Sequence, residues 1–183
     1  FKHDSPIRKI TPLRIAFTTL FLGICIYLTT GVLGRKLGEL ESFLPPKNKA
    51  SVFNILENQH EEMQWITNNF EAALLQAKVE NKRLFLDFTG YTCTNCRWME
   101  ANMFTRPEVK AEMEKFVLVS LYTDGEGAIY ERQQQMEQDM FGTVALPYYA
   151  VLDPNGTVVA AFPGLTRSSE EFVDFLKKSQ ENK

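Results

Sequence analysis

Two cysteines stand two residues apart in Cys93-Thr94-Asn95-Cys96. A dithiol this close can cycle between thiol and disulfide, or it can supply half of a metal site. A zinc site needs two further ligands, and the two histidines, His3 and His60, lie on opposite sides of a long apolar segment. No metal and no cofactor is therefore expected. The third cysteine, Cys25, lies within that segment without a neighbouring partner and is expected to act as a small apolar residue.

The setting of the pair favours redox chemistry. It follows a short apolar run, Leu84-Phe85-Leu86-Asp87-Phe88, suited to a buried strand, and it opens a helix expected from Cys93 to about Asn102. The reactive form of cysteine is the thiolate, and free backbone N–H groups at a helix start favour negative charge. Cys93, at the exposed end, is the expected attacking thiol. Cys96, one turn further in, is the expected resolving thiol.

Other residues gather around this pair. Asp87 lies six residues before Cys93, inside the apolar run. A carboxylate there is expected to be partly buried, with a raised pKa, and able to exchange a proton with Cys96. Strict alternation sets Leu86 and Phe88 on the face opposite Asp87, which leaves a solvent-facing position open. Glu100 lies seven residues after Cys93, on the helix face of both cysteines. It is either a second acid tuning the thiols or a solvated helix charge. Leu146-Pro147 precedes a further strand. A cis bond there would offer the Leu146 backbone to a substrate strand, and a trans bond would be an ordinary loop.

These side chains need elements to hold them. Asn68 with Glu71 predicts a capped helix to about Lys78. Pro107 suits the first position of another short helix. Phe116 to Leu121 reads as a second central strand, and Ala128 to Met140 as a helix. Tyr148–Leu152 and Thr157–Phe162 are two further strands, joined by the turn residues Asp153-Pro154-Asn155-Gly156 into an antiparallel hairpin. Ser168 with Glu171 predicts a final capped helix to about Lys178. Helices alternating with strands predict an α/β fold, a central sheet covered by helices on both faces.

Residues 15–33 carry no charge. A helix needs roughly 20 such residues to cross a bilayer. Arg14 and Arg35-Lys36 stand at its ends, where long cationic side chains can reach headgroups. The four threonines within it can bond back to their own helix. A signal peptide would be shorter and followed by a small-residue cleavage site, and a soluble core helix would show a polar face. The expected organisation is a flanking segment at 1–12, a transmembrane helix at 13–34, a connector at 35–60 containing Pro45-Pro46, and a globular domain at 61–183. Lys2, Arg8, Lys9 and Arg14 before the span balance Arg35, Lys36, Lys47 and Lys49 after it, so charge does not orient it. The chain opens on Phe1, which fits a piece of a longer polypeptide or a trimmed one.

The chain has 183 residues, 44% of them hydrophobic, which suffices for one core. Its net charge of −3 and the lack of a dense basic block leave no footprint for nucleic acid as a partner.

Leu86-Asp87-Phe88, Cys93-Thr-Asn-Cys96 followed by Arg97, and Leu146-Pro147 before the hairpin together resemble the thioredoxin superfamily. Within it, Phe85 to Phe88, Trp98-Met99-Glu100, Met103-Phe104 and Pro107-Glu108-Val109 are similar to the C-terminal domain of the DsbD family of thiol:disulfide interchange proteins. The resemblance covers about residues 61–180 and implies a thioredoxin-like mixed sheet. It also implies a periplasmic domain, held at the inner membrane by one span, that passes electrons to oxidised substrate proteins, some of them serving cytochrome c maturation. Cys93 and Cys96 would be the redox pair, Asp87 and Glu100 the two nearby acids, and Pro147 the cis proline. Leu146, Pro147 and Thr92 would meet substrate. The partner it implies is a transmembrane electron-donor core, in the same longer chain or in a separate protein. A redox sensor, a peptide-binding module and a tethered oxidase or isomerase are the competing readings. Thr92 stands where the superfamily usually has tryptophan, Tyr148 where threonine is common, and Tyr122 to Val144 is longer than the pattern.

Overall fold

The computed structural model describes residues 11–32, 40 and 63–181. The connector with Pro45-Pro46, both histidines and most of the segment at 1–12 lie outside the described residues. The apolar segment forms α1, Pro12–Val32. Over Pro12–Gly31 it is long and apolar enough to cross a membrane by length and composition. Thr18, Thr19, Thr29 and Thr30 each donate to a carbonyl three or four residues earlier, so the threonine hydroxyls of that run bond within their own helix.

The domain runs through β1 (Trp65–Thr67), α2 (Phe70–Glu80), β2 (Leu84–Thr89), α3 (Thr94–Trp98), α4 (Pro107–Met113), β3 (Val117–Tyr122), α5 (Ala128–Phe141), β4 (Tyr148–Leu152), β5 (Val158–Pro163) and α6 (Ser169–Glu181). The sheet order is β1-β3-β2-β4-β5. β1 and β2 run parallel to β3, while β4 runs antiparallel to β2 and to β5. The sheet is mixed, as expected, with β2 at its centre.

Alternation along β2 divides the core in two. Phe85 packs with Trp98, Met103, Phe104, Tyr149 and Phe172 on one face. Leu84, Leu86 and Phe88 pack with Ala73 and Ala77 of α2 on the other, where Met136 and Met140 of α5 join them. Every residue of β2 is buried. Asp87 shares the Phe85 face, so helices cover it and the solvent-facing alternative does not apply.

Two local expectations are corrected, and one strand is added to the expected elements. β1 was not anticipated, because a three-residue edge strand carries too little pattern to read. The cap of α2 is Asn69, whose side chain accepts from Ala72 N at 3.0 Å, not Asn68. Asn68 takes a left-handed conformation that asparagine tolerates, φ 55°. Its side-chain oxygen accepts from Tyr122 N at 3.0 Å instead, tying α2 to the end of β3. The helix after the cysteines is not one α-helix. α3 ends at Trp98 and continues as a π-helical stretch, Met99–Met103, closed by Phe104 N donating to Met99 O at 2.9 Å. Such wide turns recur at functional sites.

Candidate active site

The parallel pairing of β2 with β3 sets Thr89 beside Tyr122, so the loops that follow both strands leave the same edge of the sheet. Ligand sites of α/β sheets form at such strand ends. The first loop carries Gly90, Tyr91 and Thr92 into Cys93, and the second carries Thr123 and Asp124.

Cys93 and Cys96 form a disulfide, with Cα atoms 5.3 Å apart. Cys93 is the N-cap of α3, and its sulfur accepts from Cys96 N at 3.1 Å. It is half-buried, whereas Cys96 is 1% exposed. An approaching disulfide therefore meets Cys93 first.

Behind the pair lies a buried charged cluster. Asp87 is 2% exposed, and its Oδ1 has no hydrogen-bond partner among the described residues. Burial pushes its carboxyl well above the ordinary range. The negative Glu100 adds to the rise, and Arg97 offsets part of it. Glu100 is the second residue of the π-helical stretch. It accepts from Arg97 Nη2 at 2.7 Å and from Thr89 Oγ1 at 3.1 Å. Burial raises its pKa too, against the pull of Arg97 and Thr89. Arg97 is itself buried and donates to Tyr122 Oη at 3.3 Å. Two carboxylates thus feel one guanidinium: Glu100 is hydrogen-bonded to it, while Asp87 Oδ1 has no hydrogen-bond partner among the described residues.

The outer side of the pair differs. Asp124 is exposed, yet its carboxylate accepts from Tyr91 N at 2.7 Å, Thr92 N at 2.8 Å and Thr92 Oγ1 at 2.7 Å. Partial burial pushes its pKa up, but the bonds from Thr92 and Tyr91 outweigh this and hold it below the usual range. Tyr91 stacks on Tyr122 with ring centroids 4.1 Å apart, and its hydroxyl lies 3.4 Å from that of Tyr130. The Leu146–Pro147 peptide is cis. Leu146 closes on the same turn: a Cβ placed on Gly90 would lie 3.1 Å from its Cδ1.

The structure thus joins Asp87 and Glu100 through Arg97, the residue after Cys96, and sets Thr92 and Leu146 against the turn that leads into Cys93, while Pro147 is buried. Sequence reasoning missed Asp124, Thr89 and Tyr122, and treated Arg97 only as a neighbour of Cys96. The signal for Asp124 was its place just past the end of the second central strand, which parallel pairing sets beside the Cys93 loop. No group of three or more metal-ligating side chains occurs among the described residues.

A thioredoxin-like domain family matches residues 70–180. Among curated proteins, none matches the chain. A thioredoxin from Thermus thermophilus is similar in structure at 20% identity and a TM-score of 0.55, over 65% of this chain and 88% of that one. A DsbH oxidoreductase is similar at 18% identity and a TM-score of 0.56, over 75% and 95%. The reduced DsbD C-terminal domain from Neisseria meningitidis gives 21% identity and a TM-score of 0.47, over 64% and 100%. The first two of these likenesses bear on the fold alone. The family match covers most of the chain and contains the whole dithiol cluster, and on that match the chain belongs to the thioredoxin-like domain family.

Proposed function

We propose that the protein is a membrane-anchored thiol:disulfide oxidoreductase that reduces disulfides of extracytoplasmic proteins. Electrons would come from a transmembrane donor core and leave through Cys93 and Cys96. The observation that carries this reading is the asymmetry of the pair, a half-buried Cys93 capping α3 and a fully shielded Cys96 directly before Arg97, whose charge acts on the buried acid Asp87. The 20-residue apolar helix supports the anchor, and the resemblance to the DsbD family supports an extracytoplasmic domain.

In the reduced protein the Cys93 thiolate attacks one sulfur of a substrate disulfide. A Cys93–substrate disulfide forms and the other substrate sulfur leaves as a thiolate. Asp87, in its ionised form, accepts the proton of the Cys96 thiol. Cys96 then attacks the Cys93 sulfur, the Cys93–Cys96 disulfide forms, and the second substrate thiolate departs. Two electrons have passed from the pair to the substrate. The donor core returns the pair to the dithiol. A substrate strand would lie beside Leu146, its backbone meeting that of Leu146.

The test uses the full chain in lipid nanodiscs with a chemical reductant and insulin as the disulfide substrate. Wild type reduces insulin, Cys93→Ala falls to background, and Cys96→Ala stalls as a Cys93–insulin mixed disulfide. Reduction that survives both substitutions would refute the reading. The potential of the pair checks direction: a value near about −270 mV fits a reductase, and one near about −120 mV fits an oxidant. Labelling of Cys93 from the cytoplasmic side would refute the proposed topology.

A further inference from the structure

The carboxylate of Asp124 has no part in the exchange just described, yet it is tied to the turn that delivers the attacking sulfur. That turn runs from Gly90 to Cys93, with Cys93 N donating to Gly90 O at 3.4 Å. Its two inner amides, Tyr91 N and Thr92 N, both donate to Asp124, and the Thr92 hydroxyl adds a third bond. Gly90 makes room for this: a Cβ there would lie 2.8 Å from Asp124 Oδ2. An anion is thus fixed against the residue next to Cys93, and it occupies two amides at the mouth of the site.

We propose that Asp124 is a positioning residue that keeps the Cys93–Cys96 pair reducing, by holding a fixed negative charge beside the attacking sulfur. The proposal rests on the reductase reading and supplies a structural source for its direction. A dithiol/disulfide couple is strongly oxidising when its reduced form is stabilised, above all through the thiolate. The Cys93 thiolate is favoured by the start of α3 and by Cys96 N. A neighbouring carboxylate opposes it by like charge, and it engages amides that would otherwise be free to turn toward the sulfur. Both effects disfavour the dithiol against the disulfide, so electrons leave the pair more readily. Among the described residues, Asp87 stands on β2, Glu100 and Arg97 follow Cys96 and are bonded to one another, and the Arg167 guanidinium lies over the Trp98 ring at 4.8 Å. Glu126, on the loop with Asp124, is exposed and serves as a control for charge without contact.

A purely structural role gives the opposite sign. A loosened turn would weaken the bond from Cys96 N to the Cys93 sulfur, destabilise the thiolate and make the pair more reducing. The experiment equilibrates the full chain in detergent with a glutathione redox buffer and counts trapped thiols. Asp124→Asn is expected to shift the equilibrium toward the dithiol by about fivefold, the size expected for one partly screened charge. The pH midpoint of Cys93 alkylation should fall in step. Asp124→Ser gives the same sign and decides the matter if the asparagine variant does not fold. Glu126→Gln shifts the equilibrium by less than about twofold, since its charge is exposed and unfixed. An unchanged equilibrium, a shift toward the disulfide, or an equal shift in Glu126→Gln would overturn the proposal. Failure of wild type to reduce insulin would instead remove the reductase reading, because the Asp124 shift is a difference between variants and does not need a protein substrate.

Discussion

Asp87 and Asp124 flank one dithiol, and their surroundings drive them apart. Asp87 enters from the middle of the central strand, is buried, and has a carboxylate oxygen without a hydrogen-bond donor among the described residues. Asp124 follows the neighbouring strand, is exposed, and receives three bonds within 2.8 Å. Burial lifts the first carboxyl well above its ordinary range, while hydrogen bonding lowers the second. An acid whose pKa burial raises well above the ordinary carboxylate range is suited to exchange a proton with a thiol. An acid that is always ionised can act only as a fixed charge. The inner side of the pair is thus suited to moving a proton, and the outer side to setting where the sulfur stands and what charge it meets.

The sharpest way to break this contrast is Asp87→Asn. General acid–base contributions are typically worth about a hundredfold or more, so release of the Cys93–substrate mixed disulfide should slow by about that factor near neutral pH. Formation of the mixed disulfide, which needs only Cys93, should change far less. In wild type the release rate should climb as pH rises through the raised pKa of Asp87, because the acid must be ionised to take the Cys96 proton. The asparagine variant should lack that rise and recover only where Cys96 ionises unaided. Single-turnover kinetics against pH measure both steps. A variant whose release keeps the wild-type pH profile would show that Asp87 does not move the proton.

A second buried acid tells whether burial alone confers such a role. Glu137, on α5, is fully buried on the opposite face of the sheet, and neither of its carboxylate oxygens has a partner among the described residues. Burial raises its pKa to about 7. The folded state then binds this proton more tightly than the unfolded chain, so stability is lost as pH rises from about 4.5 through about 7. Glu137→Met removes the acid and keeps its bulk. The variant should be more stable than wild type by about 2 kcal/mol at pH 8, with the gap shrinking at pH 4. Denaturant titrations of the full chain in detergent at the two pH values read the difference. An equal gap at both would mean the carboxyl is not paying for burial through its proton. Glu137 is thus a charge stored in the core, whereas Asp87 is a charge stored beside a thiol.

How much of this could be read from sequence depended on range. The dithiol, the strand that carries Asp87, the helix opened by Pro107 and the hairpin turn at 153–156 are encoded within a few residues, and the chain forms them where expected. The raised pKa of Asp87 needed only a charged residue inside an apolar run. The π-helical stretch was hidden, because its residues would suit an ordinary helix equally well. Asn68 and Asn69 are adjacent and chemically identical, and only the reach of Asn68 to Tyr122 decides which of them caps α2. The clamp on Thr92 joins residues 32 positions apart. It exists because β2 and β3 are parallel neighbours, and no local pattern states that pairing.

The exposed side of the contrast has its own control. Arg132 of α5 lies 3.3 Å from Glu71 of α2, and both side chains are about two-thirds exposed, at 69% and 67%. Like Asp124, this pair links elements far apart in sequence. Unlike Asp124, it joins two flexible side chains in water, where solvent screening and lost side-chain freedom offset the attraction. Arg132→Ala should therefore change stability by about 0.5 kcal/mol or less, with no shift in the glutathione equilibrium of the dithiol. Thermal unfolding and thiol trapping on the same sample check both. The comparison turns on what each carboxylate holds. Glu71 meets a mobile guanidinium, and Asp124 meets two backbone amides that cannot leave without unfolding the turn before Cys93. If Arg132→Ala moved the redox equilibrium as far as Asp124→Asn, contact with that turn would not be what gives an exposed acid its influence, and net charge on this face would be the better account.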